Sequence, residues 1–393
     1  MKWKAPLHVV VDLTLMLPGG MNGGIKPAFI ELFTRVRDNE RESLRCTFLT
    51  NSWTHGELTS IRRPGDVAIC VRALEGKRPC MAHFEPEDYT NFDGRSNAIA
   101  TLSANLYYNP MCEELPQTGV LPIVVLHADT LHRDVEGALP CQEVDRREDF
   151  FRQNVERAQQ IQTISEFSRD RIEFHYPASS GKVFVTQLPI QDRFKNWTTD
   201  RESPISADYF LYPANFWPHK NHEFLLRIFE RYVSINPDRA WKLVLTGNDD
   251  TAAQIFMEKV GQLGLSDRIL FLGHVKDADF VALFKHAGAL VFPSSYEGFG
   301  IPTLEAMTCN VPVISSDAGS LPEVVQDGGH IVPVNHDADW VEALIKVSSD
   351  SAWRAELRQR GQTVQKSYSL EREAQILSEN LRSAADFTLH GEP

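Results

Sequence analysis

The chain has 393 residues, 40 Lys plus Arg against 53 Asp plus Glu, a formal net charge of −13 and 42% hydrophobic residues. At ~150 residues per domain, this makes about two to three domains, large enough to bury their cores without disulfides or structural metals. An acidic balance argues against a general nucleic-acid binder, whose phosphate contacts need clustered Lys and Arg. The 22 Phe, 9 Tyr and 7 Trp argue against disorder.

The opening Met-Lys-Trp-Lys and the apolar run that follows have the outline of a secretion signal. His8 and Asp12 interrupt that run and no small-residue cleavage site follows Gly20, so it reads as a first core strand. No stretch approaches the ~20 uninterrupted apolar residues of a spanning helix. Cysteines at 46, 70, 80, 112, 141 and 309 show no metal or redox spacing. They read as reduced, mostly buried thiols of a cytoplasmic protein, in which the sequon Asn196-Trp197-Thr198 has no meaning.

Short apolar runs then alternate with helical stretches, the pattern of α/β units around parallel sheets. In the first half, strands are expected at Val9–Leu13, Arg45–Leu49, Val67–Val71, Ile123–Leu126, Gln162–Ser165 and Val183–Gln187. Helices are expected at Gly24–Arg37, Asn97–Tyr108 and Glu148–Ala158, and the stretch from Trp53 to Asn91 is hard to read. A polar stretch, Lys195–Pro204, precedes a tidier series: strands at Tyr209–Pro213, Trp241–Thr246, Ile269–Leu272, Ala289–Pro293 and Val311–Ser315. Helices are expected between them at His222–Asn236, Ala252–Gly264 and Asp277–His286, and from Pro302. The expected architecture is two doubly wound Rossmann-like domains facing a deep cleft, over residues 1–200 and 201–368. In the remaining 369–393, a helix over Leu370–Ala385 is free to cross back to the first domain.

The most informative stretch runs from Pro293 to Met307: a strand end, a loop with Glu297, Gly298, Phe299 and Gly300, then Ile301, Pro302, Thr303 and Glu305. Pro302 suits the first helical position, where its missing N–H costs nothing. Backbone amides at a helix start bind anions, and Gly298 and Gly300 let a diphosphate approach closely. Glu305, expected in the first helical turn, can accept from vicinal sugar hydroxyls, or merely complement the helix dipole. Two carboxylates eight positions apart around such a turn describe a nucleotide-sugar site. Lys220, on the loop Tyr212–Asn221 beside the stiff pair Trp217-Pro218, can neutralise a departing diphosphate.

With Phe271–Val275 and Gly319–Glu323, these stretches resemble the retaining family-4 glycosyltransferases of the GT-B fold, over essentially the whole second half. The resemblance implies a donor-binding C-terminal domain, an acceptor-binding N-terminal domain, and no metal or other cofactor. It makes Glu297 the residue near the donor sugar, Glu305 the ribose ligand and Lys220 the diphosphate cation. Gly273, His274 and Val275 are similar to the loop lining the base. Asn215 stands where the family usually has Arg, so one usual cation is missing: either Lys220 and the helix amides suffice, or a basic group such as Arg133 closes in from the other domain.

In the first half the likeness is looser. The turn with Gly19, Gly20, Gly23 and Gly24 is similar to the loop covering the donor phosphates. The strand ending in His127 resembles one ending in a cleft-facing histidine, with Asp129 one position later than usual, which makes His127 an active-site candidate to position the acceptor or the sugar's hydroxyls. Thr163–Ser168 matches a strand-to-helix turn, with Ser165 as helix cap.

Retention in this family implies same-face attack, with a phosphate oxygen taking the acceptor's proton, rather than the paired carboxylates of glycosidases. The expected reaction moves a hexose from a GDP- or UDP-sugar to a glycan or lipid-linked acceptor in polysaccharide or lipopolysaccharide synthesis. GDP-mannose is the first candidate donor. The alternatives are a catalytically weak nucleotide-sugar-binding partner in an assembly complex, or a GT-B epimerase or phosphorylase. Basic pairs at Arg62-Arg63, Lys77-Arg78 and Arg146-Arg147 leave room for peripheral contact with the inner face of a membrane, and the oligomeric state is open.

Overall fold

The computed structural model describes residues 6–18, 24–72, 94–111, 115–188, 194, 202 and 205–390. From β1 (Leu7–Asp12) the chain runs through α1 (Ile25–Asn39), β2 (Leu44–Asn51), β3 (Val67–Arg72), α2 (Arg95–Ala100), β4 (Leu106–Asn109) and β5 (Ile123–Leu126). Next come α3 (Leu131–Asp134), α4 (Cys141–Arg157), β6 (Gln160–Thr163), α5 (Glu166–His175) and β7 (Val183–Val185). The second series is β8 (Tyr209–Pro213), α6 (His222–Ile235), β9 (Lys242–Thr246), α7 (Thr251–Gln262), β10 (Ile269–Phe271) and α8 (Asp277–His286). It continues as β11 (Ala289–Phe292), α9 (Ile301–Thr308), β12 (Val313–Ser316), α10 (Leu321–Val325), β13 (His330–Val332), α11 (Asp337–Ser349), α12 (Ser351–Gln365) and α13 (Leu370–His390).

The strands form two all-parallel sheets, ordered β3-β2-β1-β4-β5-β6-β7 and β10-β9-β8-β11-β12-β13. Each is Rossmann-like and doubly wound, with its first strand in the middle. The chain divides into two compact units, one of residues 1–133, 140–189 and 369–393 and the other of 134–139 and 190–368.

In the first unit the strands are apolar runs because both sheet faces are covered. Val9 and Val11 face a layer made with Phe33 and Val36 of α1, while Val10 faces Phe150 and Phe151 of α4. The last helix, α13, belongs to this unit. Its Ala374, Leu377, Leu381 and Ala385 join the α1 layer, and Ser378 donates to Glu40 at 2.6 Å.

One expected element is corrected here. The helix foreseen over 97–108 is two elements, because α2 ends at Ala100 and residues 106–109 are β4, paired with both β1 and β5. Leu106, Tyr107 and Tyr108 are fully buried in the sheet. A reciprocal bond, His8 N to Asn105 Oδ1 and Asn105 N to His8 O, each 2.8 Å, fixes where β4 begins. Pairing with two neighbours outweighs the helical spacing of 97–108.

In the second unit, connections leave β8 toward one side of the sheet and β11 toward the other. The loops at the C-terminal ends of these two adjacent strands therefore flank a topological switch point, where open α/β sheets bind ligands.

Candidate active site at the β8 and β11 strand ends

The loop after β8 is built to hold Lys220. Pro218–Lys220 forms a single 3₁₀ turn, and Asn221 closes it at φ 61°, a left-handed conformation that asparagine tolerates. The buried Tyr212 hydroxyl donates to the Lys220 carbonyl oxygen. Two further bonds tie this loop to the one after β11: Ser295 N donates to His219 O at 2.7 Å, and Asn221 Nδ2 donates to Pro293 O at 3.1 Å. Across that seam Lys220 Nζ donates to Glu297 Oε1 at 2.6 Å. Their side chains are only 15% and 10% exposed, so water screens this pair weakly.

Glu297 is gripped through its backbone. Ser320 N and Oγ both donate to its carbonyl oxygen, at 3.0 and 3.1 Å. Gly319 passes so close that a Cβ there would lie 2.4 Å from that oxygen and 2.7 Å from the Glu297 nitrogen. Gly300, at φ 91°, is the N-cap of α9.

The structure corrects several details around α9. Glu305 lies in the second turn, not the first, and is 3% exposed, so complementing the dipole at the helix start is not its place. Thr303 does not offer a free amide, since its N–H and hydroxyl donate to Gly300 O at 3.0 and 2.8 Å. Phe299 turns inward, edge-on to Tyr368 at 6.0 Å. Gly298 and Gly300 are buried, and Ile301 and Pro302 half-buried.

Asn215 lies at the start of the β8 loop, and its Oδ1 accepts from Asn248 N at 2.9 Å. Gly247 N donates to Gly273 O at 3.1 Å. Beyond Gly273, which is at φ 64°, His274 is exposed and Val275 half-buried.

In the first unit His127 follows β5, but its ring is not presented outward. The residue is fully buried and stacks on Phe151 at a centroid distance of 3.9 Å. Burial lowers its pKa to about 3, so it is neutral near pH 7. Asp129 Oδ1 accepts from Leu131 N at 3.0 Å. Ser165 caps α5 by accepting from Ser168 N at 3.0 Å. Arg133 is engaged within the first half, its Nε donating to Glu148 Oε2 at 2.6 Å. Gly24 is the N-cap of α1, while Gly19, Gly20 and Gly23 lie outside the described residues.

Three of these basic residues are met by the chain's own acids: Arg63 by Asp38 at 2.9 Å, and Arg146 and Arg147 by Glu143 at 2.9 and 2.8 Å. Lys77-Arg78, the sequon, Cys80 and Cys112 lie outside the described residues. Among the described residues no helix is long and apolar enough to cross a membrane, and no group of three or more His, Cys, Asp or Glu is gathered to hold a metal ion.

Sequence reasoning gave no role to Tyr212, Asn221, Gly319 and Ser320, the residues that position Lys220 and Glu297. The signals were an aromatic at a strand end, an asparagine after the lysine, and the Gly319-Ser320 pair.

Residues 195–364 match the family model described as glycosyl transferases group 1. The chain is 32% identical over 328 residues, 81% of its length, to the O-antigen chain mannosyltransferase B of Escherichia coli, covering 80% of that protein. It is 31% identical over 196 residues to the O-antigen chain mannosyltransferase RfbU of Salmonella typhimurium, 50% of this chain and 52% of that one. Solved structures share the fold at low identity. Anabaena Alr3699/HepE in complex with UDP and glucose superposes with TM-score 0.69 at 15% identity, over 96% of this chain and 100% of that one. WaaG, a glycosyltransferase involved in lipopolysaccharide biosynthesis, gives 0.65 at 17% identity, over 98% and 100%. The match over four fifths of a relative, with the two parallel sheets and the strand-end loops that carry Lys220 and Glu297, makes this chain a glycosyltransferase of the GT-B fold that belongs to the glycosyl transferases group 1 family.

Proposed function

We propose that the chain moves a hexose, mannose first among candidates, from a nucleoside diphosphate sugar to a glycan or lipid-linked acceptor in the synthesis of a cell-surface polysaccharide of the O-antigen kind. The observation that carries this reading is the 32% identity over 81% of the chain to an O-antigen chain mannosyltransferase.

In this reading Lys220 stabilises negative charge growing on the departing diphosphate, and the Gly300 and Ile301 amides at the start of α9 assist it. Glu297, now held by Lys220, accepts from hydroxyls of the transferred sugar, and Glu305 from those of the ribose. The acceptor hydroxyl attacks the anomeric carbon on the face the diphosphate leaves, and a diphosphate oxygen takes its proton. The configuration is retained, and Lys220 supplies a cation without a metal or other cofactor. His127, neutral and packed on Phe151, shapes the end of β5 without acting as an acid or base. The reaction takes place at the cytoplasmic side of the membrane.

The first test is calorimetric titration with UDP, GDP and ADP, followed by donor and acceptor screens in the presence of EDTA. The expected result is selective binding of GDP and acceptor-dependent release of nucleoside diphosphate. Unchanged turnover in both Glu297→Ala and Lys220→Ala overturns the reading. Binding without turnover over a broad acceptor panel would favour a sugar-nucleotide-binding partner, to which the uncharged Asn215 points.

A further inference from the structure

We infer that Asn215 is a positioning residue for the nucleotide base, acting through the loop layer at the ends of β8, β9 and β10 and not through the diphosphate. The inference rests on the proposed nucleotide-sugar site and assigns a part of it. Four bonds stitch this layer together. Ala214 N donates to Thr246 O at 3.1 Å, Leu272 N to Leu245 O at 2.9 Å and Gly247 N to Gly273 O at 3.1 Å. The fourth, Asn248 N to Asn215 Oδ1 at 2.9 Å, is the one made by a side chain. The β8 and β9 loops cross so tightly that a Cβ on Gly247 would lie 2.6 Å from Ala214 O and 3.2 Å from the Asn215 Cα.

The chemistry of the amide decides its role. Asn215 uses its carbonyl oxygen to hold a backbone N–H, which a guanidinium, having donors and no acceptor, cannot do. The asparagine thus exchanges a cation for a clamp. The clamp fixes Asn248, its neighbour Gly247 holds Gly273, and Gly273 opens the segment Gly273–Val275, which the family resemblance likens to the loop lining the base.

The test separates base from diphosphate. In Asn215→Ala, the dissociation constant of the nucleoside diphosphate bound by the wild type should rise about three- to tenfold, the range of one hydrogen bond. Inhibition by inorganic pyrophosphate should stay within twofold, with kcat at saturating donor also nearly unchanged. Asn215→Asp, which keeps an acceptor for Asn248, should lie closer to wild type than Ala does. Equal weakening of nucleoside diphosphate and pyrophosphate would overturn the inference in favour of direct diphosphate contact, and so would no change in either. Amide hydrogen exchange covers the case in which the wild type binds no nucleotide and the proposed function itself fails. The Asn248 amide should exchange faster in Asn215→Ala, and unchanged exchange overturns the clamp whatever the ligand.

Discussion

Each sheet carries a lysine on the connection that follows its first strand, and each lysine is paired with a glutamate, yet the two pairs are wired differently. In the first unit Lys26 of α1 meets Glu57 and also donates to Leu17 O at 2.6 Å, so its ammonium is committed to the backbone of its own loop. In the second unit Lys220 meets Glu297 from across the switch point, while the groups that brace the loop are its neighbours: Tyr212, His219 and Asn221. Among the described residues, the ammonium there is bound to the Glu297 carboxylate, which in the proposed reading a diphosphate replaces. On that reading the same topology produces a structural lysine in one unit and a chemical one in the other, and the difference lies in which atoms hold the loop.

The largest effect should separate these two roles. Lys220→Ala and Glu297→Gln are each expected to lower turnover by about 10²–10³-fold, the range seen when a charge-stabilising group is removed from a transition state. Lys220→Ala should also lower the melting temperature, because it leaves the 10%-exposed Glu297 carboxylate without its cation, so turnover is compared per folded molecule. A steady-state assay with melting curves checks both, and a large loss of stability with modest loss of rate would make Lys220 another Lys26.

This contrast also explains what was legible in the sequence. Tyr209–Pro213, Ile123–Leu126 and Asp277–His286 were readable to the residue because buried parallel strands are short apolar runs and the helix has clear acidic and basic ends. The loop carrying Glu297 was readable because glycines and Pro302 leave few backbone choices. β4 was missed, since its strand character comes from pairing with β1 and β5, which local spacing does not encode. The burial of His127 and of Phe299 was missed for the same reason: each is decided by a partner distant in sequence, Phe151 or Tyr368.

Next in size is the anchoring of α13. Leu377 is fully buried in the first unit, so Leu377→Ala should cost about 2–5 kcal/mol of stability by denaturant titration. Turnover per folded molecule should barely change. Acid should then act on both units alike. Burial lowers His127, His219 and His222 to about 3 and His132 to about 4, from an ordinary 6.5. The unfolded chain therefore binds protons near pH 6.5 that the native state refuses until well below pH 5. Stability from this source is complete above pH 6.5 and is lost as pH falls toward 3, by up to about 2 kcal/mol per histidine at pH 5. Thermal melts from pH 7.5 to 5 should show the decline, and His219→Asn should remove about a quarter of it; an equally steep decline in that variant would take His219 out of the account.

The smallest effect bears most directly on the two lysines. Lys26 has a side chain 7% exposed and Glu57 one 36% exposed, so removing the ammonium leaves a carboxylate that water can still reach. That limits the cost of Lys26→Ala to about 1–2 kcal/mol, less than breaking a fully buried pair. With the Leu17 carbonyl also released, the loop after β1 should loosen, raising the donor KM a few-fold while kcat stays within twofold. Lys220→Ala, which strands the more deeply buried Glu297, should cost more stability but show the reverse kinetics, lowering kcat per folded molecule with KM little changed. Measured side by side, the two alanine variants turn a difference in hydrogen-bond wiring into opposite kinetic signatures, and a kcat loss in Lys26→Ala as large as that in Lys220→Ala would erase the distinction between the units.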